Sequence, residues 1–376
     1  MEIYHILITV TLFLLFLNCL WNLYILTERE YKLPSDSKLP FVSVLIPARN
    51  EEHNIERILK SLVNQDYPKY EIIVLDDNSE DNTYNIAKSL SEKYPVINVI
   101  KGKTLEKGWT GKAFACQQLF EKSKGEYLLF TDADTVHHKC SIRKAVEIAL
   151  NEKSDLLSLM PQMIMKSFWE KIIMPMLYFT VMLLLPFYFV NYTKLEKFSI
   201  GIGPFMLFRR ESYIKIGGHE SVKSAMVEDV WLARKIKKAE MKLTVKDGSQ
   251  MLGVRMYRNF REIWEGFSKN IFAGFNYSSA ILLIINSLYM MLFFMPFIFF
   301  FIELIWCHVS HILYLLAIQI SLIILSQLLI SYRFSLGLAP VFAHPLGTLS
   351  VFLISLNSLF WVKSKRGAKW KGRTYK

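Results

Sequence analysis

The sequence predicts an α/β domain with a mainly parallel sheet, placed between apolar segments that are long enough to enter a membrane. Short apolar runs alternate with stretches of helical apolar spacing, which is the order of strands joined by helical crossovers. Acidic residues follow two of these runs, at Asp76-Asp77 and at Asp132-Ala133-Asp134. A hydrophobic fraction of 52% is too high for an ordinary cytosolic enzyme and indicates membrane segments.

The first apolar segment runs from Ile3 to Leu26 without a charged residue, and this length spans a bilayer. Arg29 and Lys32 follow it closely, which predicts that its C-terminal flank faces the cytoplasm. A signal peptide is the alternative, but the segment lacks a basic region before it and a small-residue cleavage site after it. We therefore predict a membrane anchor over residues 1–28.

Three more apolar segments occupy residues 280–362, namely Ala280–Ile302, Ile312–Ile330 and Val341–Val362. They leave residues 39–279 as a globular cytoplasmic domain and residues 363–376 as a tail. The basic residues of the tail favour the cytoplasmic side, whereas three full spans would place it outside. We expect Val341–Val362, with Pro345 near its start, to be re-entrant.

The net charge of +12 suggests an anionic surface as a partner. The cytoplasmic leaflet of a cell membrane fits this charge. Nucleic acid is the competing explanation, but Lys and Arg are dispersed rather than gathered into one basic element. We expect a multi-pass protein of the cell membrane with no nucleic-acid partner.

Within residues 39–279 the strands and helices alternate as β-α-β-α-β-α-β. Pro47 is expected to end the first strand, and the helix after it is expected to begin near Glu51. The predicted strands are Phe41–Ile46, Tyr70–Leu75, Val96–Ile100 and a run beginning at Tyr127, and the later helices begin near Asp81 and Gly111.

The four acidic residues fall at carboxyl ends of strands, which is the edge where open α/β sheets bind ligands. Asp132 and Asp134 repel each other as anions, so a divalent cation would stabilise the pair. A solvated turn explains either acidic pair alone but does not predict that both pairs share one edge. Asp76 is as readily a turn residue as a ligand, and His137 and His138 are expected not to bind metal.

Other residues at this edge suit a nucleotide. The segment Ala48-Arg49-Asn50-Glu51 lies where backbone amides at a helix start can meet it, and Asp77 can accept hydrogen bonds from a base or ribose. Lys112 can place a positive charge against a pyrophosphate, although a solvated lysine on a loop is the alternative.

Taken together, several motifs resemble family 2 glycosyltransferases of the GT-A fold in order and spacing. These are Pro47-Ala48-Arg49-Asn50-Glu51-Glu52, Asp76-Asp77-Asn78-Ser79, Gly111-Lys112-Ala113, Thr131-Asp132-Ala133-Asp134, Gly217-Gly218-His219 and Glu228-Asp229-Val230. More narrowly, the flanking membrane segments and the tail around Trp370 resemble bacterial 4,4'-diaponeurosporenoate glycosyltransferases of carotenoid biosynthesis. Hopanoid-associated and ceramide glucosyltransferases share much of this layout.

The resemblance implies a role for each matching residue. Asp77 would contact the uracil or ribose of a UDP-sugar, with UDP-glucose as the family-level expectation. Asp132 and Asp134 would hold Mn2+ or Mg2+, with Asp134 the more direct ligand and Asp132 also a donor-binding residue. Asp229 would be the general base of an inverting transfer, with Glu228 beside it in the pocket. The remaining donor-binding positions would be Pro47, Arg49, Glu51 and Lys112.

The acceptor is expected to be a membrane lipid that receives a single sugar. The Gln-x-x-Arg-Trp motif of processive synthases is missing from Arg258–Trp264. Ile172–Val190 is strongly apolar yet lies between Asp134 and Asp229, so it predicts interfacial or re-entrant helices interrupted at Pro186. A buried core helix is the alternative.

The chemical group that accepts the sugar distinguishes between the candidate lipids. A carboxylic acid is already ionised near neutral pH and gives Asp229 little proton to remove, which slightly favours a hydroxyl acceptor. Two other classes are a metal-dependent nucleotidyltransferase, which would attack the α-phosphate, and a non-catalytic membrane scaffold.

Overall fold

The computed structural model describes residues 2–27, 39–275, 277–305, 311–363, 368–370 and 373–375. The chain divides into two compact units. The sheet unit comprises Leu26–Ile164 and Phe187–Met256, and the helical unit comprises Met1–Ile25, Met165–Pro186 and Tyr257–Lys376. The predicted cytoplasmic flank at Arg29 and Lys32 lies outside the described residues.

Twelve strands are assigned within the described residues. They are β1 Val42–Ala48, β2 Tyr70–Asp76, β3 Ile97–Lys101, β4 Tyr127–Phe130, β5 Thr135–His137, β6 Leu156–Met160, β7 Gln162–Met163, β8 Met206–Arg209, β9 Leu243–Asp247, β10 Leu252–Val254, β11 Ala368–Trp370 and β12 Arg373–Tyr375. The main sheet has the order β3-β2-β1-β4-β8-β6-β9, and only β8 runs antiparallel to its neighbours. This confirms the predicted α/β fold with a mainly parallel sheet.

The described residues also form sixteen α-helices. They are α1 Glu2–Leu26, α2 Ile55–Leu62, α3 Thr83–Lys93, α4 Gly111–Lys122, α5 Ser141–Asn151, α6 Phe168–Ile173, α7 Pro175–Leu184, α8 Phe187–Tyr192, α9 Arg210–Lys215, α10 Glu228–Lys238, α11 Phe260–Gly274, α12 Ser279–Phe293, α13 Met295–Ile305, α14 His311–Arg333, α15 Ala339–Phe342 and α16 His344–Lys363. Short 3-10 turns cover Glu196–Phe198 and His219–Val222.

The start of the sheet corrects two expectations. Pro47 does not end β1 but lies inside it, and α2 begins at Ile55 rather than near Glu51. Pairing between β1 and β4 ends at Leu45, so β1 needs no backbone N–H at Pro47 on that side. Because β1 runs on to Ala48, the turn before α2 starts later than a proline break would suggest.

An asparagine covers one edge of the main sheet. β9 is the last strand in the order, so one row of its backbone groups faces away from the sheet. Asn191 at the end of α8 bonds both backbone groups of Val245: its Nδ2 donates to the carbonyl at 3.1 Å, and its Oδ1 accepts from the amide at 2.7 Å. The side chain thereby imitates a neighbouring strand at this position.

The helical unit contains three helices that are long and apolar enough to cross a membrane, within the described part of the chain: α1, α14 and α16. The predicted single segment Ala280–Ile302 is wrong as one helix, because it is divided into α12 and α13 at Phe294. In the tail, β11 and β12 pair as antiparallel strands. Three of the basic residues that favour the cytoplasmic side for the tail lie outside the described residues, namely Lys365, Arg366 and Lys371.

The apolar segment Ile172–Val190 consists of short helices with a break at Leu185-Pro186, as the proline suggested. Within the helical unit, two asparagines of α1 satisfy carbonyls at the end of α7. Asn18 donates to Leu183 O at 2.9 Å, and Asn22 donates to Met182 O and Leu185 O at 2.8 Å each. Side chains of α1 therefore supply the cap that the end of α7 requires.

Candidate active site

Two loops at the carboxyl edge of the sheet are joined by hydrogen bonds. The first, residues 49–52, follows β1, and the second, residues 77–83, follows β2. The Asn50 amide donates to Ser79 Oγ at 3.0 Å, and the Glu51 amide donates to Thr83 Oγ1 at 2.7 Å. These paired loops carry three of the predicted donor-binding residues: Arg49, Glu51 and Asp77.

Arg49 is directed at the second loop. Its Nη1 donates to the carbonyls of Asp77 and Asn78 at 2.7 and 2.6 Å, and its Nη2 lies 3.2 Å from Glu80 Oε1. Arg49 and Asp77 are only 8% and 2% exposed. The observed contacts of the guanidinium therefore fix the backbone beside Asp77. Arg49 thereby shapes the loop that carries Asp77.

Each loop turns through an asparagine in the left-handed region. Asn50 has φ 52° and Asn78 has φ 54°, a conformation that asparagine tolerates better than most residues. The Asn50 side chain adds a link, because its Oδ1 accepts from the Glu80 amide at 2.9 Å. The paired loops are therefore held by bonds between backbone groups of one loop and side chains of the other.

The second half of the site is an ionic cluster of Lys112, Asp132, Glu228 and Asp229. Lys112 Nζ lies 2.7 Å from Asp132 Oδ1 and 3.0 Å from Glu228 Oε1. Three elements supply these groups: the first turn of α4, the residues after β4 and the start of α10. The Thr110 amide donates to Lys223 O at 2.6 Å, which holds the start of α4 near the chain that leads into α10.

Asp229 is held in place by backbone amides. Its Oδ2 accepts from the Gly203 amide at 3.1 Å, and its Oδ1 accepts from the Val230 amide at 2.8 Å. A Cβ on Gly203 would lie 3.2 Å from both Asp229 Oδ2 and Lys112 Nζ, and 3.4 Å from Asp132 Oδ2. Gly203 thus marks the point where the ionic cluster converges. A Cβ on Gly201 would collide with the Asp229 carbonyl, so this approach also requires glycine.

Burial and charge shift the pKa values in the cluster. Burial, with Glu228 as the next cause, raises the pKa of Asp229 to about 6, while Lys112 opposes the rise. Burial would lower the pKa of Lys112, but Asp132, Glu228 and Asp229 outweigh it and raise that pKa well above its usual value. Lys112 is therefore a cation at neutral pH, and a carboxylate pKa shifted by burial and by a neighbouring charge is typical of functional sites.

The predicted metal pair lies at the end of β4. Asp134 is half-buried, and its carbonyl accepts from the Arg255 amide and from Arg57 Nη2, both at 3.3 Å. No cluster of three or more His, Cys, Asp or Glu suited to a metal occurs among the described residues. Two carboxylates still fit Mg2+ or Mn2+, since these ions commonly take one or two carboxylates and complete their shell with water and substrate phosphates.

His137 is engaged by neighbouring hydroxyls. Its Nε2 lies 3.0 Å from Thr131 Oγ1, and its Nδ1 lies 2.9 Å from Ser141 Oγ. Burial, followed by the neighbouring His138, lowers the pKa of His137 to about 3. His137 is therefore a neutral, buried link between β5 and α5.

Sequence reasoning overlooked several residues that line the site. A cavity of about 10 Å³, with room for about one water, is lined by Pro47, Lys112, Asp132, Gly203, His219 and Glu228 among others. His219 was noted only as part of a motif, yet it lies in this wall, and its Nδ1 is 2.7 Å from Tyr213 Oη. The pattern Gly201-Ile202-Gly203-Pro204 was the available signal for the close backbone approach.

The fold and the acidic edge define a class, the GT-A glycosyltransferases, and the comparisons agree. Residues 43–217 match the family model described as Glycosyl transferase family 2. Residues 43–217 are therefore similar to a family 2 glycosyltransferase domain, and this match supports a glycosyltransferase enzyme.

Two relatives with the same description show which glycosyltransferases the chain resembles. A 4,4'-diaponeurosporenoate glycosyltransferase of Staphylococcus haemolyticus is 29% identical over 260 residues, covering 67% of this chain and 68% of the relative. The enzyme of the same description from Staphylococcus aureus strain USA300 is 29% identical over 240 residues, covering 62% of this chain and 61% of the relative. The chain thus aligns with under two thirds of the length of the second enzyme.

A solved structure supports the fold over nearly the whole chain. It is a mannosyltransferase from Pyrobaculum calidifontis in complex with GDP-Man and Mn2+, with a TM-score of 0.59 and 18% identity. The match covers 96% of this chain and 99% of the mannosyltransferase. At this identity the likeness shows the fold alone.

Proposed function

We propose that this protein transfers a single sugar from a UDP-sugar, with UDP-glucose as the first candidate, to a lipid in the membrane, with inversion at the anomeric carbon. One observation carries the proposal. A half-buried carboxylate with a raised pKa, Asp229, converges with Asp132 and Lys112 beside Gly203. A base close to groups suited to a diphosphate is what a direct displacement requires.

The donor side of the proposal uses the two halves of the site. Asp77, fixed by Arg49, would read the base or ribose, and Lys112 at the start of α4 would bind the diphosphate. Asp132 and Asp134 would hold Mn2+ or Mg2+, which supplies a Lewis acid for the diphosphate leaving group. The mannosyltransferase with this fold contains GDP-Man and Mn2+, and we extend a nucleotide-sugar and a divalent cation to this chain on that basis.

On the acceptor side, Asp229 would remove the proton of an attacking hydroxyl. The amides of Gly203 and Val230 orient its two oxygens, so the carboxylate does not have to be positioned during the reaction. A pKa of about 6 leaves most of the group ionised at neutral pH while keeping it basic enough to accept a proton.

The lipid acceptor follows from the helical unit and from the relatives' names. The three helices suited to crossing a membrane would place the enzyme and an apolar acceptor in one phase. The relatives' description makes 4,4'-diaponeurosporenoate the first acceptor to test. We further propose a multi-pass protein of the cell membrane with its sheet unit in the cytoplasm.

A second candidate is a lipid with a hydroxyl acceptor, such as a hopanoid or a glycolipid precursor. The raised pKa of Asp229 favours it, because a base tuned near neutrality has a proton to remove only from a hydroxyl. A carboxylate acceptor has already lost that proton.

The test uses membranes that contain the full chain, incubated with Mn2+ and radiolabelled UDP-glucose and supplied with each lipid. Parallel samples carry Asp134→Asn and the matched control Glu92→Gln, an exposed carboxylate at the end of α3. We expect label in an extracted lipid band with the wild type and the control, and its loss with Asp134→Asn. The visible absorbance of the band would identify a carotenoid.

Each of three results would contradict part of the proposed function. If neither UDP-glucose nor other UDP-sugars label any supplied lipid, the lipid acceptor is wrong. If glucose 1-phosphate rather than UDP is released, attack occurs at the α-phosphate and the protein is a nucleotidyltransferase. If Asp134→Asn labels lipid as well as the wild type does, the metal assignment is wrong.

A further inference from the structure

Lys112 occupies the position in the ionic cluster where a second cation would compete with it. Its Nζ is 2.7 Å from Asp132 Oδ1, and Asp132 is one of the two carboxylates assigned to the metal. The other Asp132 oxygen, Oδ2, faces the point marked by Gly203, where Lys112 Nζ and Asp229 Oδ2 also converge. The ammonium therefore already neutralises the carboxylate that a divalent cation needs.

Three carboxylates share this one ammonium. Lys112 Nζ contacts Asp132 and Glu228 directly, and it converges with Asp229 Oδ2 beside Gly203. The Asp132 and Lys112 side chains retain 26% and 27% of their exposure, whereas the Glu228 side chain retains only 9%. The contact between Lys112 and Asp132 is thus the accessible one, and the contact with Glu228 is the buried one.

We propose that Lys112 is a built-in counter-ion that keeps a divalent cation from Asp132 until a nucleotide diphosphate draws the ammonium away. The proposal rests on the function proposed above and adds an order to it. Metal and nucleotide bind together, and neither binds well alone.

The chemistry of the three partners supports this exchange. Two cations on one carboxylate repel each other, which weakens metal binding while Lys112 holds Asp132. A diphosphate offers the ammonium several anionic oxygens, and the first amides of α4 lie beside it to bind the same phosphates. The long, flexible lysine side chain can move between these partners. Glu228 can remain paired with Lys112 as Asp132 is released, so the buried carboxylate keeps a counter-charge.

The arrangement predicts a positive coupling between the two ligands. If UDP raises the affinity for Mn2+, then Mn2+ must raise the affinity for UDP by the same factor. A neutral residue at position 112 removes the competitor from Asp132 and also removes the group that responds to the diphosphate. Such a variant should bind Mn2+ alone more tightly and lose most of the coupling.

The experiment measures Mn2+ binding to the purified full chain in nanodiscs by electron paramagnetic resonance, with and without UDP. The variants are Lys112→Met, Lys112→Arg and the matched control Lys122→Met, an exposed lysine at the end of the same helix. We expect UDP to tighten Mn2+ binding about tenfold or more in the wild type and the control. In Lys112→Met we expect Mn2+ alone to bind about tenfold tighter than in the wild type, with coupling below about threefold. Lys112→Arg keeps the charge and should keep the coupling.

The outcomes separate this inference from the proposed function. Equal Mn2+ affinity with and without UDP in the wild type, or Mn2+ binding unchanged by Lys112→Met, overturns the inference and leaves sugar transfer standing. No Mn2+ binding by any variant, even with UDP, overturns the metal assignment and the inference with it. If Lys112→Met does not fold, Lys112→Gln provides a neutral side chain that still donates hydrogen bonds to Glu228.

Discussion

The paired loops and the ionic cluster lie at the same edge of one sheet but are held in different ways. Arg49, Asn50 and Glu51 join the loops through hydrogen bonds in which each backbone amide or carbonyl pairs with a side chain of the protein. The ionic cluster depends on side-chain contacts between Lys112 and carboxylates, which can be exchanged for other ions. Under the proposed function, this difference predicts that the base and ribose side of the site is shaped in advance, whereas the diphosphate side is completed by its ligands.

The largest effect that would test this division is expected for Asp229→Asn. The amide keeps the shape but cannot take a proton, so turnover on a hydroxyl lipid should fall by about 100-fold or more. On a carboxylate lipid the loss should stay below about tenfold, because no proton is removed in that transfer. Initial rates of labelled lipid formation measure both.

The losses of turnover on the two acceptors can also contradict the role of Asp229. If the losses on the two acceptors are equal, Asp229 does not act as the base. A loss in the control Glu92→Gln would point to a general fault of the membranes rather than to the site.

The pH dependence gives the next largest effect. Because burial and then Glu228 raise the pKa of Asp229 to about 6, the base is protonated below that pH and ionised above it. Transfer to a hydroxyl lipid at low donor concentration should therefore fall about tenfold per pH unit below this midpoint, and level off above it. A rate that stays flat from pH 8 down to a midpoint near the ordinary value of 3.8 would contradict the assignment.

The stability contribution of Asp229 changes with pH in the opposite direction to the transfer rate. The pKa of Asp229 in the folded state lies above its usual value of 3.8, so the folded chain binds more protons than the unfolded chain between that pH and about 6. The contribution of this group to the free energy of unfolding should therefore decrease as the pH rises through this window.

Arg49→Lys tests whether the paired loops are shaped in advance. A lysine keeps the charge but loses the fork that reaches the carbonyls of Asp77 and Asn78. We expect the Kd for UDP, measured by calorimetry, to rise about tenfold while turnover at saturation changes by less than about threefold. The control Glu80→Gln removes a carboxylate that is 79% exposed and should change the Kd little. A fall in turnover alone would mean that Arg49 acts on the chemistry instead.

The smallest effect is expected for Asn50→Ala. Alanine at φ 52° is strained, and it also loses the bond to the Glu80 amide, so the free energy of unfolding should fall by about 1–2 kcal/mol. Asn50→Gly relieves the strain and should cost less. The thermal unfolding midpoints of the two solubilised variants measure this, and equal midpoints would show that the conformation at position 50 is unimportant.

Sequence periodicity predicted the sheet and its acidic edge because these are local properties. The apolar run at Tyr127 and the acidic residues after it fix where β4 ends, and β4 ends there. The pairing of Lys112 with Glu228 joins elements far apart in the chain, and neither residue carries a local signal for the other. The break at Phe294 lies two residues before Pro296, in the first turn of α13, and the prediction of one segment did not use this signal for a helix start.

The roles of the predicted site residues remain predictions. The structure brings Lys112, Asp132 and Asp229 together, and it directs Arg49 toward the loop that carries Asp77. The sequence could suggest a carboxylate and a lysine at this edge, but the shift in the pKa of Asp229 depends on burial and on Glu228. Those two causes exist only in the folded chain.

Asn191 also bears on whether the chain aggregates during its synthesis. An open edge strand such as β9 is a template on which a second chain can add its own strand. By bonding both the amide and the carbonyl of Val245, one side chain blocks that addition at the middle of the strand. A chain that must stay unaggregated while its apolar helices enter the membrane thereby has one fewer surface on which copies could assemble into fibrils.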